Sequence, residues 1–136
     1  MPCEIIWERP FGVRNHFTGV LAPDDVERAV VTITSDAGFD DLRYLIFDLR
    51  HATGHSFDLQ SRSALEVPYA TLIGASYSNG YLHAAFLATS PELQQLVELT
   101  MSRGALPMPA QMFRTEADAR AWLGETSGSY RRPPLP

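Results

Sequence analysis

One cysteine, Cys3, is all the chain has, so no intrachain disulfide is available and a reducing compartment is the expected setting. No apolar run approaches the roughly 18 residues of a membrane span. The start, Met1-Pro2-Cys3-Glu4, lacks a basic stretch followed by an apolar one. A signal peptide is therefore not expected, and a cytoplasmic location is. Positive charge is also scarce. The 11 Lys and Arg residues are scattered apart from Arg131-Arg132, and the net charge is −5. Nucleic-acid binders and anionic membrane surfaces call for a basic patch, so neither partner is expected. Gly74, Gly80 and Gly104 do not form a phosphate-binding loop, and no Gly-x-Ser-x-Gly elbow occurs. No internal repeat appears, and no linker precedes residue 125.

What is present is an ordinary globular composition, 45% hydrophobic over 136 residues. That length suits one domain burying roughly two thirds of its unfolded surface, without help from metals or disulfides. Residues 4–9, with Ile5, Ile6 and Trp7, read as a strand. Pro10-Phe11-Gly12 reads as a turn, and residues 13–21 as a second strand. In that second strand Val13, Phe17 and Leu21 occupy one face, and Arg14, His16 and Thr18 the other. Together the two strands predict an opening β-hairpin. Pro23-Asp24-Asp25 starts a helix, with proline at the first position and acids at the positive end of the dipole. Val26, Ala29, Val30, Ile33 and Ala37 form its apolar stripe, and Gly38 lies past its end.

Residues 43–49, around the apolar run Tyr44-Leu45-Ile46-Phe47, read as a buried central strand ending at Asp48. A loop over residues 50–56 is expected next. Residues 57–79 have helical spacing interrupted by Pro68, predicting a kinked helix or two helices meeting there. A strand over 81–88 follows. Ser90-Pro91-Glu92 then opens a helix closed by Gly104, with Leu93, Leu96, Val97, Thr100 and Met101 inward. A short strand spans 110–113. Thr115 through Asp118 resembles a capping box before a last helix with Ala119, Trp122 and Leu123, capped by Gly124. Residues 1–124 thus read as one α/β domain with a mixed, mostly parallel sheet of four or five strands and flanking helices. The Pro-rich tail, 125–136, is expected to lack structure of its own, with Tyr130 and Leu135 docking on a subunit surface.

Three stretches resemble a known family. They are Gly19-Val20-Leu21 before Pro23-Asp24-Asp25-Val26, then Leu42-Arg43-Tyr44-Leu45-Ile46-Phe47-Asp48-Leu49-Arg50, and Phe113-Arg114-Thr115-Glu116-Ala117-Asp118-Ala119-Arg120-Ala121-Trp122-Leu123. In these the chain resembles the SpoIIAA-like family of STAS-type domains, over nearly everything before the tail. The resemblance implies a helix-flanked sheet of four or five strands, often a homodimer, in many cases bacterial. Sigma-regulating members act as anti-sigma-factor antagonists, switched by a serine in an Asp-Ser-Ser-Gly-type motif. Here the corresponding stretch reads Thr53-Gly54-His55-Ser56-Phe57-Asp58 and departs from that motif, having no Asp-Ser-Ser-Gly; a retained phosphoswitch would fall to Ser56 or Thr53.

The candidate site is the segment 48–58, since open α/β sheets bind ligands beyond the carboxyl ends of their strands. Its ligand or partner residues are Asp48, His51, Thr53, His55, Ser56 and Asp58. The plainer alternative is that Asp48 ends a strand, Gly54 turns and Ser56 caps the next helix. His51 and His55 would share a face only on a helix, and no third ligand is evident, so no metal is expected. A Ser56-His55-Asp48 triad requires convergence in space. His83 reads as a hydrogen-bonded sheet residue, and Tyr44, Tyr69, Tyr77 and Trp7 as pocket or packing aromatics.

Three functions follow. The first is a non-enzymatic regulatory or protein-interaction module, with an exposed patch near residues 56–69. The second is an apolar or lipid-like ligand binder, with Leu59, Leu65, Tyr69, Leu72 and Ile73 as pocket wall. The third is a small hydrolase using segment 48–58. No catalytic residue and no cofactor is assigned.

Overall fold

A computed structural model describes residues 3–129. The opening hairpin forms as expected: β1 (Cys3–Glu8) pairs antiparallel with β2 (Gly12–Leu21). Helix α1 (Pro23–Thr34) begins at Pro23, where the Asp25 carboxylate accepts the Ala22 N–H at 2.9 Å. It ends one turn short of Ala37. Asp36 draws the chain out of the helix by accepting the Gly38 N–H at 2.8 Å while ion-paired to Arg9. Phe39 is buried where Ala37 was expected to be.

Central strand β3 (Tyr44–His55) is longer than expected. Its pairing with β4 (His83–Leu87) stops at Asp48, opposite Leu87. The ten-residue β2 extends further and keeps supplying ladder partners as far as His55. The predicted loop over 50–56 is therefore mostly strand, and Asp48 lies inside the strand.

Two short helices then meet at Pro68. They are α2 (Arg62–Glu66) and α3 (Ala70–Ala75), joined by a 3-10 turn over Val67–Tyr69. Ser61, five residues beyond the predicted cap Ser56, caps α2 by accepting the Ala64 N–H. Asn79 delays β4 to His83 because its side chain bridges Phe39 O and Leu42 O and accepts the Tyr81 N–H. Helix α4 (Pro91–Ser102) opens on the Ser90 cap and closes at Gly104, whose φ of 71° suits glycine. Strand β5 (Ala110–Phe113) follows. Helix α5 (Glu116–Ser129) runs on past Gly124, which is not its cap. Tyr130 and Leu135 lie outside the described residues.

The sheet order is β1-β2-β3-β4-β5, parallel except for the hairpin. Strand alternation divides its residues between two layers. On one face Val13, Phe17, Leu45, Phe47 and Phe86 pack with α1, α3 and α4, and the Phe47 and Phe86 rings stack 4.9 Å apart. Each such buried side chain contributes roughly 1.5–3 kcal/mol. On the other face Ile46, Ala85 and Leu87 meet Ala119 and Leu123 of α5. Toward β1 and β2 this second face turns from apolar to charged, and the candidate site lies there.

Candidate functional site

The charged region starts from the register of β2 and β3. His16 pairs with Asp48, but the next pair is Thr18 with His51, so β3 carries one extra residue. An extra residue bends the strand and shifts its inside–outside alternation. In a regular strand Asp48 and His51 would point to opposite faces. The bulge brings His51 back beside Asp48 and His16, and the two imidazole centroids lie 4.9 Å apart. A second irregularity follows between Gly19 and Val20, opposite Ala52 and Gly54.

Asp48 is fully buried. Its Oδ1 accepts the Arg50 backbone N–H at 3.1 Å and Nε at 2.9 Å, and its Oδ2 accepts Arg50 Nη2 at 2.9 Å. Burial alone would push this carboxyl up. The Arg50 hydrogen bonds and charge, with His16 nearby, outweigh burial and hold it below the usual carboxylate range. His16 Nδ1 lies 3.5 Å from Asp48 Oδ2, and that nitrogen is buried with no hydrogen-bond partner among the described residues.

A chain of ion pairs leads away from Asp48. Arg50 Nη2 is 3.5 Å from Glu116 Oε1, which also accepts Arg14 Nη1 at 2.8 Å. Arg120 donates to Glu116 and, through both Nη atoms, to Glu8 at 2.9 and 2.7 Å. Glu8 in turn accepts the Tyr44 hydroxyl. Hydrogen bonding from Arg120 is the main reason the Glu8 carboxyl titrates low, while burial, then Glu8, push the Tyr44 phenol up. The network ties the hairpin, the central strand and the first turns of α5 together.

Of the expected site residues, only Asp48 and His51 belong to this cluster. Thr53 and Ser56 are exposed, with the Ser56 N–H on Leu21 O. His55 Nδ1 accepts the Phe57 N–H at 3.1 Å and its Nε2 lies 3.9 Å from Glu92, so it is engaged apart from Asp48. Asp58 makes a local turn by accepting the Gln60 N–H. Leu65, Tyr69 and Leu72 are buried in the main core with Leu59 packed against it, whereas Ile73 faces outward. His83 is buried, with Nδ1 at 3.2 Å from Tyr81 O and its ring edge-on to Trp122. The aromatics do not converge: Tyr69 meets Phe47, Trp7 carries the Arg9 guanidinium, and Tyr77 is exposed.

Around Asp48, His16, Arg50 and Glu116 were not selected from the sequence, and neither were Arg14, Arg120 and Glu8 farther along the network. The alternation of β2 had placed His16 on a polar face. Nothing in that pattern says which strand the face adjoins.

No family model and no curated protein matches the chain. Solved structures do. The anti-sigma factor antagonist SpoIIAA in its unphosphorylated form superposes with a TM-score of 0.62 at 12% identity, over 90% of this chain and 96% of that one. A DUF3478-family protein with a SpoIIAA-like fold from Shewanella loihica PV-4 gives 0.51 at 16% identity, over 89% and 91%. The hairpin, the parallel strands and the flanking helices are therefore those of the SpoIIAA-like, STAS-type fold.

Proposed function

We propose that this domain is a non-enzymatic regulatory module that binds a protein partner through the outer surface of the segment joining β3 to β4. The observation that carries the reading is the exposed apolar surface there: Val67 is 55% and Tyr77 94% exposed, with Ile73 between them in sequence. Solvent-facing aromatic side chains such as Tyr77 are what protein interfaces use as anchors, and neighbouring apolar side chains help to exclude water around them. The segment is also firmly seated, because Leu65, Tyr69 and Leu72 insert into the core beneath it. Its outer side chains are thus presented on a fixed base, which lowers the ordering cost of binding. Val31 adds an exposed apolar side chain on α1, the helix against which this segment packs. The SpoIIAA fold supports the reading, since that protein is described by its action on another protein, an anti-sigma factor.

The test is quantitative capture from extract of the native cell, using the full chain and a Val67→Asp/Tyr77→Asp variant. Both residues are surface positions, so the variant keeps its melting temperature. A protein retained by the wild type and at least tenfold depleted with the variant supports the module. Equal retention, or no specific retention by the wild type, overturns it. A cytoplasmic setting and a homodimer belong to the same reading. Sedimentation equilibrium returning a monomer removes the dimer and leaves the partner surface standing. No helix among the described residues is long and apolar enough to cross a membrane.

A further inference from the structure

We propose that His16, Asp48 and His51 form a binding site for a divalent transition-metal ion of the Zn²⁺ or Co²⁺ class. Two imidazole nitrogens and a carboxylate oxygen, all within 4.8 Å of one another, make the donor set. Nitrogen and carboxylate ligands sit about 2.0–2.2 Å from such an ion, which places two donors of one tetrahedral ion about 3.4 Å apart. His16 Nδ1 and Asp48 Oδ2 are 3.5 Å apart. That separation is long for a hydrogen bond and suits two ligands of one ion. The buried Nδ1 makes no hydrogen bond among the described residues, so no such bond is broken there when the ion enters.

His51 closes the site. It is exposed, its ring is tilted 43° to that of His16, and its side chain makes no hydrogen bond among the described residues. Being exposed, its side chain can turn toward an ion without leaving a buried position or breaking a hydrogen bond among the described residues. The bulge in β3 is what makes this geometry available, since a regular strand would send His51 to the other side.

Arg50 is the neighbour that opposes a cation, and the network gives it somewhere to go. It holds Asp48 Oδ1 through its backbone N–H and Nε, leaving a lone pair of Oδ2 toward His16. Its Nη2, shared between Asp48 Oδ2 and Glu116 Oε1, can transfer its weight to Glu116 when the ion takes Oδ2. Glu116 and Arg50 then orient the ligand carboxylate from outside, as second-layer partners of metal sites do. Three protein ligands beside an exposed histidine leave at least one coordination position to solvent, so the site is of the open kind. This inference rests on the cluster itself and stands independently of the partner surface.

The experiment is calorimetric titration of the untagged full chain with ZnCl₂ and, separately, CoCl₂, with visible absorption followed for cobalt. The wild type should bind one ion per chain. His51→Ala and His16→Gln should each weaken binding at least tenfold and reduce the cobalt bands. His55→Ala, on the same strand but outside the cluster, should bind as the wild type does. If His16→Gln fails to fold, His51→Ala decides the matter, because an exposed side chain is removed there. No binding by the wild type, wild-type affinity in His51→Ala, or equal loss in His55→Ala overturns the site.

Discussion

Replacing Asp48 by Asn keeps the shape of a fully buried side chain and removes its charge. Asn can still accept the Arg50 N–H and Nε bonds through its carbonyl oxygen. Its amide, however, puts a second donor in front of Arg50 Nη2, where Oδ2 now accepts at 2.9 Å. One charge-assisted hydrogen bond is lost, worth about 1.5–3 kcal/mol. Two effects reduce the loss: a buried carboxylate no longer needs desolvating, and Arg50 can lean on Glu116, 3.5 Å away. The expected net cost is about 2 kcal/mol, or roughly 6–10 °C in melting temperature for a chain of this length. The effect should depend on pH with a definite sign. Because the folded-state carboxyl titrates below its ordinary value, its stabilisation is present above the unfolded value, about 3.9, and is lost as pH falls toward the folded one. Urea unfolding of both proteins in chelator-containing buffer, at pH 7 and pH 3, makes the test. The gap should be about 2 kcal/mol at pH 7 and clearly smaller at pH 3. A gap below about 0.5 kcal/mol at pH 7, or one of equal size at pH 3, refutes the reasoning.

The Glu8–Arg120 pair is bidentate and only partly exposed, so a double-mutant cycle with Glu8→Gln and Arg120→Gln should return a coupling of about 1 kcal/mol that shrinks in high salt. A coupling of zero would mean that this pair does not help hold α5 to the hairpin, leaving the Arg14–Glu116 pair and packing to do so. Leu72→Ala should cost about 2–5 kcal/mol and Ile73→Ala well under 1, since one lies in the core and its neighbour faces solvent. Similar costs in the two unfolding curves would contradict this placement. Burial, helped by the Asp25 charge, pushes the Cys3 thiol up to about 11. Alkylation at pH 8 should therefore be much slower than for a free thiol and accelerate on unfolding. An equal rate in the folded chain would count against the burial of Cys3.

Local chemistry carried most of the architecture. Ser90-Pro91-Glu92 opens a helix because the Ser90 hydroxyl accepts the Leu93 N–H, and Pro23-Asp24-Asp25 opens one because Pro23 has no N–H to satisfy and Asp25 reaches back to the Ala22 N–H. Pro68 divides its segment because it lacks the N–H that a continuous helix needs. The continuous apolar run Leu45-Ile46-Phe47 forecasts a strand covered on both faces, and the two cores lie on either side of it. Long-range pairing was not legible in the same way. That β3 continues to His55 depends on how far β2 reaches beside it. At the early end of α1, the local Asp36–Gly38 bond is accompanied by Arg9, which pairs with Asp36 from 27 positions away. The site shows the same division. Asp48 and His51 could be selected from one segment, but His16 and Glu116 join them only through the register of two strands and the packing of α5. The bulge that aligns His51 leaves no compositional mark. Segment 48–58 was read as a loop, yet most of it is strand, because its pairing partner β2 lies more than thirty positions earlier in the chain.

Site-specific photocrosslinking in the native cell would show whether the segment between β3 and β4 meets a protein partner. A photoreactive residue replaces Tyr77 in one version of the full chain and Val67 in another. In a control it replaces Ala121, an exposed position on α5 across the sheet. Positions 77 and 67 should cross-link to the same protein, and position 121 should not. Cross-linking at 121 equal to that at 77 and 67, or none at either test position, would contradict a partner surface there.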